Sequence, residues 1–194
     1  MIRLGILGST RGSSMAAIVD AIQEKKLAAE VVVVLSNQEE AQILTRASDY
    51  QIPAFYIDAS GLTREAYDEK LTACLQRYGV ELLVLIGYMR ILSDSFVKTW
   101  EHHVMNVHPS LLPAFSGMMD MQVHQAVIDA GVSETGCTVH YVVSKVDAGP
   151  IVLQKKCQVL NGDTAETLKI RVQQLEREAL CEAIALYQTD ARLK

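Results

Sequence analysis

Leu82-Leu83-Val84-Leu85-Ile86 is five aliphatic residues in a row, and the run stops at Gly87-Tyr88-Met89-Arg90-Ile91-Leu92-Ser93. A strand with one wet face alternates apolar and polar residues, whereas a strand covered on both faces is apolar throughout. The run is short for a helix and a glycine closes it, so it is read as a central strand of a parallel sheet. The segments around it fit. Ile2 to Leu7 is a first buried strand, Val31 to Leu35 a second, and Ala54 to Ile57, after the Pro53 break, a short third. Met15, Ala16, Ile18, Val19 and Ile22 recur at helical spacing, Glu40 to Tyr50 reads as a helix, and Thr63 or a neighbour caps another to about Tyr78. A short helix, Asp94 to Trp100, leads to a strand ending at Asn106. Strands alternating with helices imply right-handed crossovers within one sheet.

After His108 the pattern changes. A loop to about Asp120 and a helix through Ala130 precede Thr135 to Val143, an alternating run rich in β-branched residues that reads as a strand. Ser144-Lys145-Val146-Asp147-Ala148-Gly149-Pro150 is a turn, and Ile151 to Val159 returns as a second strand. Asp163-Thr164-Ala165-Glu166 caps a last helix ending near Tyr187. The expected fold is α/β: a parallel, Rossmann-like sheet with a C-terminal antiparallel extension and a long final helix.

The 194 residues suit one domain, 1–194. A net charge of -5 without a Lys/Arg cluster argues against a nucleic-acid surface. No apolar run approaches the roughly 20 residues of a bilayer span, and the chain enters a strand pattern at once, without a signal peptide. Cys74, Cys137, Cys157 and Cys181 are far apart, which suits reduced thiols and a cytoplasmic location. No metal site is expected, because His102, His103 and His108 lack spaced acidic partners.

Asn106-Val107-His108-Pro109-Ser110-Leu111-Leu112-Pro113 follows the apolar end of the fifth strand. If that strand persists, its period of two points Asn106 and His108 to the same face, and the prolines stiffen the exit. The C-terminal ends of parallel strands are where such sheets bind ligands. A single histidine there is equally a satisfied core residue. Gly8-Ser9-Thr10-Arg11-Gly12-Ser13-Ser14 joins the first strand to the first helix, either as a phosphate cradle or as a tight turn. It is no Walker A loop, since no lysine follows the glycine, and its glycines miss the dinucleotide spacing. Met89, Ile91 and Leu92 are either the lid of the core or the wall of a pocket for an aromatic ligand. Asn106, His108 and Asp147 together would suit attack by an amine on an acyl carbonyl. The amide would hold an oxygen, the imidazolium would stabilise an oxyanion, and the carboxylate would support the imidazole. No serine or cysteine with a matching base suggests a covalent intermediate.

These segments, with Ser36-Asn37, Arg64-Glu65-Ala66-Tyr67 and Thr135-Gly136-Cys137-Thr138-Val139-His140, resemble the phosphoribosylglycinamide formyltransferases of purine biosynthesis over essentially the whole chain. The Asn-x-His-Pro-Ser-Leu-Leu-Pro and Asp-x-Gly motifs mark the wider formyltransferase superfamily. The resemblance implies Asn106, His108 and Asp147 as catalytic residues. It implies 10-formyltetrahydrofolate as formyl donor, held by Arg64, Met89, Arg90, Ile91, Leu92, Val143, Ser144, Lys145, Val146 and Ala148. It implies glycinamide ribonucleotide as acceptor, held by Arg11, Gly12, Ser13, Ser14, Pro109, Gln173 and Glu176. Residues 1–107 would form a Rossmann-like nucleotide half and 108–194 a folate and catalytic half. No metal, nucleic acid or membrane is implied, and the protein would be a monomer or homodimer. A formyltetrahydrofolate hydrolase, or a formyltransferase acting on another amine, shares the trio. The chain departs from the family at Thr10 and Ser14, where Gly and Asn are usual, and in the methionine-rich loop Met118, Met119 and Met121.

Overall fold

In the computed structural model, which describes residues 1–189, seven strands form one sheet. The strands are β1 (Ile2–Gly8), β2 (Ala29–Ser36), β3 (Ala54–Tyr56), β4 (Leu82–Ile86), β5 (Val104–His108), β6 (Glu134–Tyr141) and β7 (Ile151–Gln158). The helices are α1 (Ser13–Gln23), α2 (Gln42–Asp49), α3 (Arg64–Arg77), α4 (Asp94–Thr99), α5 (Met121–Asp129) and α6 (Ala165–Thr189). The sheet order is β3-β2-β1-β4-β5-β6-β7. β1 to β5 run parallel, and β6 and β7 are antiparallel additions at the β5 edge. The expected class and element order therefore hold. The last five residues of the expected domain lie outside the described residues.

β4 follows from its sequence. Leu82, Val84 and Ile86 enter one core with residues of α1, α2, α5 and α6, and Leu83 and Leu85 enter the other with α3 and α4. Both faces are covered, so every side chain of the strand is apolar. Thr63 caps α3 as expected, its Oγ1 accepting from the Ala66 N–H at 3.2 Å. At the start of α6, Thr164 and Thr167 each accept the other's N–H, a reciprocal cap with threonine in place of the usual Glu or Gln. Among the described residues, no helix is long and apolar enough to cross a membrane.

The segment after β4 is pinned at both ends. The Met89 N–H donates to Ser9 Oγ at 2.9 Å, and Ser9 Oγ donates to Asn37 Oδ1 at 2.6 Å, linking the tips of β1, β2 and β4. The Ser93 N–H donates to the buried carboxylate of Asp68 at 2.6 Å. Between these anchors Leu92 is 7% exposed and sits in the second core, while Ile91 is 48% exposed. The choice between core lid and pocket wall resolves residue by residue. Leu92→Ala is expected to lower the unfolding free energy by about 2–4 kcal/mol, and Ile91→Ala by less than about 0.5 kcal/mol. Urea titration of the two variants checks this, and equal losses would contradict the division.

Candidate active site

Asn106 and His108 close β5, and the antiparallel register sets His140 opposite Asn106 and Thr138 opposite His108. Directly opposed residues share a face, so four polar side chains converge at the sheet's C-terminal edge. Thr138 anchors the loop that leaves β5. Its hydroxyl donates to the Ser110 carbonyl at 2.7 Å and accepts from the Leu112 N–H at 3.0 Å and from Gln154 Nε2 at 2.9 Å. The loop so tethered turns back over the strand end, and the Phe115 carbonyl lies 3.1 Å from His108 Nε2.

Asp147 arrives from the β6–β7 loop. Its Oδ2 lies 3.3 Å from His108 Nδ1, and its Oδ1 lies 3.6 Å from His140 Nε2. Oδ2 also accepts the Gly117 N–H at 2.8 Å. The side chains of His108 and Asp147 are only 4% and 8% exposed. Asp147 has φ +54°, a strained value for a residue with a side chain. Two residues on, Gly149 passes so close to β6 that a Cβ would stand 1.7 Å from the Tyr141 carbonyl oxygen. The glycine of Asp-x-Gly is there because no side chain fits.

Each imidazole lies between two groups that only accept: His108 has the Phe115 carbonyl at Nε2 and Asp147 at Nδ1, and His140 has the Tyr141 carbonyl at Nδ1, 2.9 Å away, and Asp147 at Nε2. Asn106 Nδ2 lies 3.2 Å from His140 Nε2. Burial lowers the His108 pKa, outweighing Asp147 and the Phe115 carbonyl, which raise it. Burial raises that of Asp147, but His140, the Gly117 N–H and His108 together hold it below its ordinary value. At neutral pH His108 is thus neutral and Asp147 a carboxylate. The trio expected from sequence is together, and His140 joins it.

The loop Gly8 to Ser14 sits at the tips of β1 and β4. Gly12, with φ +67°, precedes α1, which has no side-chain cap. The Met15 N–H bonds back to the Gly12 carbonyl at 3.1 Å, and among the described residues the N–H groups of Ser13 and Ser14 make no backbone hydrogen bond outside the helix. Ser14 turns its side chain inward, and Arg11 is exposed. A Cβ on Gly12 would stand 2.4 Å from Ile43 Cγ1, so the glycine serves the core as well as the turn. Thr10 is not among the described non-glycine residues with positive φ, so this backbone accepts it without strain. On the donor side, Arg90 stacks over the Tyr67 ring at 4.5 Å, Met89 is exposed, and so are Val143, Ser144, Lys145, Val146 and Ala148. Arg64 is exposed at the first turn of α3. Pro109, Gln173 and Glu176 are half-buried, and burial pushes the Glu176 carboxyl up to about 7 against Lys169 and Arg177.

A Rossmann-like sheet with an antiparallel hairpin, and an Asn-His-Asp centre at its C-terminal edge, defines a formyl-transfer class. The formyl transferase family profile matches residues 2–184, and the chain belongs to that family. It is similar to the phosphoribosylglycinamide formyltransferase of Escherichia coli K12, with 37% identity over 97% of this chain and 88% of that protein. The solved glycinamide ribonucleotide transformylase 1 of Symbiobacterium toebii superposes with a TM-score of 0.92 at 40% identity, over 96% of this chain and 87% of that one. The trifunctional purine biosynthetic protein adenosine-3 of Gallus gallus is 39% identical over 98% of this chain. The chain spans only 19% of that protein's length.

Two residues near the centre escaped the sequence reading. His140 sat in a strand pattern, where its facing depends on register. His124, on the inner face of α5, is 2% exposed and its Nδ1 has no hydrogen-bond partner among the described residues. Burial, with Lys169 and His108 adding to it and Asp120 opposing, pushes its pKa down to about 4. An unfolded histidine binds its proton near pH 6.5, so the His124 contribution to stability is complete above about pH 6.5 and is lost as pH falls toward 4. Glu176 has the opposite sign: its contribution is complete below about pH 4.3 and fades as pH rises toward 7. The two offset each other in the wild type, so the informative quantity is a difference. His124→Phe is expected to gain on wild type by up to about 3 kcal/mol between pH 7 and pH 4. Denaturant titration across that range measures it, and a pH-independent difference would contradict a buried neutral His124.

Proposed function

We propose that the chain transfers the formyl group of 10-formyltetrahydrofolate to the amine of 5'-phosphoribosylglycinamide, a step of purine biosynthesis. The observation that carries this reading is the buried contact of His108 with Asp147 at 3.3 Å, beside Asn106 at the open end of the sheet. The amine nitrogen bonds to the formyl carbon, and Asn106 and His108 take up the charge that develops on the formyl oxygen. The amine's proton passes to the His108–Asp147 pair and then to N10 of the folate as the C–N10 bond breaks. Neither a metal nor a covalent intermediate is part of this route.

The folate's flat ring system suits the wall of Met89, Arg90 and Ile91, backed from the core by Leu92, and the loop of Val143, Ser144, Lys145, Val146 and Ala148, with Arg64 toward its acidic tail. The substrate phosphate suits the N–H groups at Ser13 and Ser14, where the dipole of α1 favours a dianion and Arg11 adds a cation. Pro109, Gln173 and Glu176 would face the ribose. On this reading the chain works as one domain in the cytoplasm, as a monomer or homodimer, without nucleic acid or membrane.

His108→Ala and Asp147→Asn are each expected to lower turnover by about 10²-fold or more while leaving donor affinity nearly unchanged. Near-normal turnover in both variants would make the centre structural. For the acceptor, the ribonucleotide should be used well and the phosphate-free riboside poorly. Arg11→Ala should raise the Michaelis constant for the ribonucleotide, with kcat nearly intact and a smaller effect at high salt. Steady-state kinetics with both acceptors decides the matter, and equal use of the two by wild type would remove the phosphate site.

A further inference from the structure

Met118-Met119 lies between two fixed points. Just before it, the Gly117 N–H is bonded to Asp147 Oδ2. Just after it, the Asp120 carboxylate is paired with Lys169 on α6. Lys169 lies one turn before Gln173 on that helix, and residues four apart share a face. The two methionines therefore span from the catalytic carboxylate to the helix assigned to the acceptor. They are 40% and 37% exposed, although the groups beside them are almost fully buried. Val143 and Val146, in the loop that carries Asp147, are exposed as well, as are Met89 and Ile91 after β4. Polar residues usually fill such loops, so apolar side chains left in water at the mouth of a polar centre call for something to cover.

We propose that Met118 and Met119 form the wall that keeps water from the formyl group, and so set the partition between transfer to the amine and hydrolysis. This rests on the formyl-transfer reading. In transfer, the amine nitrogen bonds to the formyl carbon, the C–N10 bond breaks, and the amine's proton ends on N10. In hydrolysis, a water oxygen bonds to the same carbon and the same bond breaks. One water proton goes to N10, the other to solvent, and formate leaves. The His108–Asp147 pair serves either nucleophile equally, so discrimination has to come from what covers the pair. A methionine side chain has three rotatable bonds, no hydrogen to donate and only a weakly accepting sulfur, so it closes around a bound donor while offering water little.

The test uses Met118→Ser/Met119→Ser and Met118→Leu/Met119→Leu with 10-formyltetrahydrofolate and glycinamide ribonucleotide, measuring formate and formylated amine separately. The serine variant is expected to raise the ratio of formate to formylated amine by roughly fivefold or more, and the leucine variant to keep the wild-type ratio. Met118→Gln/Met119→Gln, which retains length and flexibility, should behave like the serine variant. A wild-type ratio in both polar variants overturns the proposal, as does a leucine variant that leaks like serine. A wild type that makes no formylated amine sinks the transfer reading and this proposal with it, a result distinct from an unchanged ratio.

Discussion

One buried carboxylate organises the site. Asp147 has almost no contact with water, yet its pKa lies below the ordinary value, so the protein must replace its hydration with partners. Those partners are His108 from β5, His140 from β6 and the Gly117 N–H from the returning loop, and a turn at positive φ brings Asp147 to them. Remove any one and an ion is left buried with too few contacts, which is the costly case. The geometry of the sheet edge, the loop from Ser110 to Asp120 and the β6–β7 turn are thus fixed by a single charge.

The sheet makes that convergence possible because it needs nothing polar elsewhere. β4 is apolar on both faces, and so is most of β1 and β2. Their backbones satisfy one another in the ladder, which leaves polar side chains for the strand ends, where the ladder stops. The change from parallel to antiparallel pairing at β5 and β6 matters here. It sets two strands side by side with opposite directions, so the C-terminal end of one meets the middle of the other and His140 comes level with Asn106.

What the amino-acid sequence revealed divides along the same lines. Unbroken aliphatic runs have one economical reading, so the order of elements and the change after His108 were legible. Asn106, His108 and Asp147 were legible as a motif. His140 was not, although its strand was recognisable, because a strand residue's neighbours depend on register and register is a long-range property. The Phe115 carbonyl was invisible for a different reason: every residue has one, so no residue type announces a backbone acceptor. Ile91 and Leu92 have the same composition and opposite fates, because the segment between Met89 and Ser93 has no period from which facing could be read.

The acceptors around the two imidazoles carry a consequence for proton balance. The Phe115 and Tyr141 carbonyls and the Asp147 carboxylate only accept, and they line both ring nitrogens of His108 and His140. A neutral His108 has one hydrogen for two such neighbours, so the arrangement lacks one proton. Burial keeps solvent from supplying it at neutral pH, since an imidazolium in this setting loses more hydration than the carboxylate returns. A reaction that releases a proton within the site changes the balance: the proton arrives without crossing bulk water and lands between groups already aligned to share it. The same pair at the surface would be protonated or hydrated beforehand and would gain nothing from the event. On the proposed formyl-transfer reading, depth of burial, together with the identity of the three residues, would suit this centre to a proton shed during attack better than to one drawn from solvent.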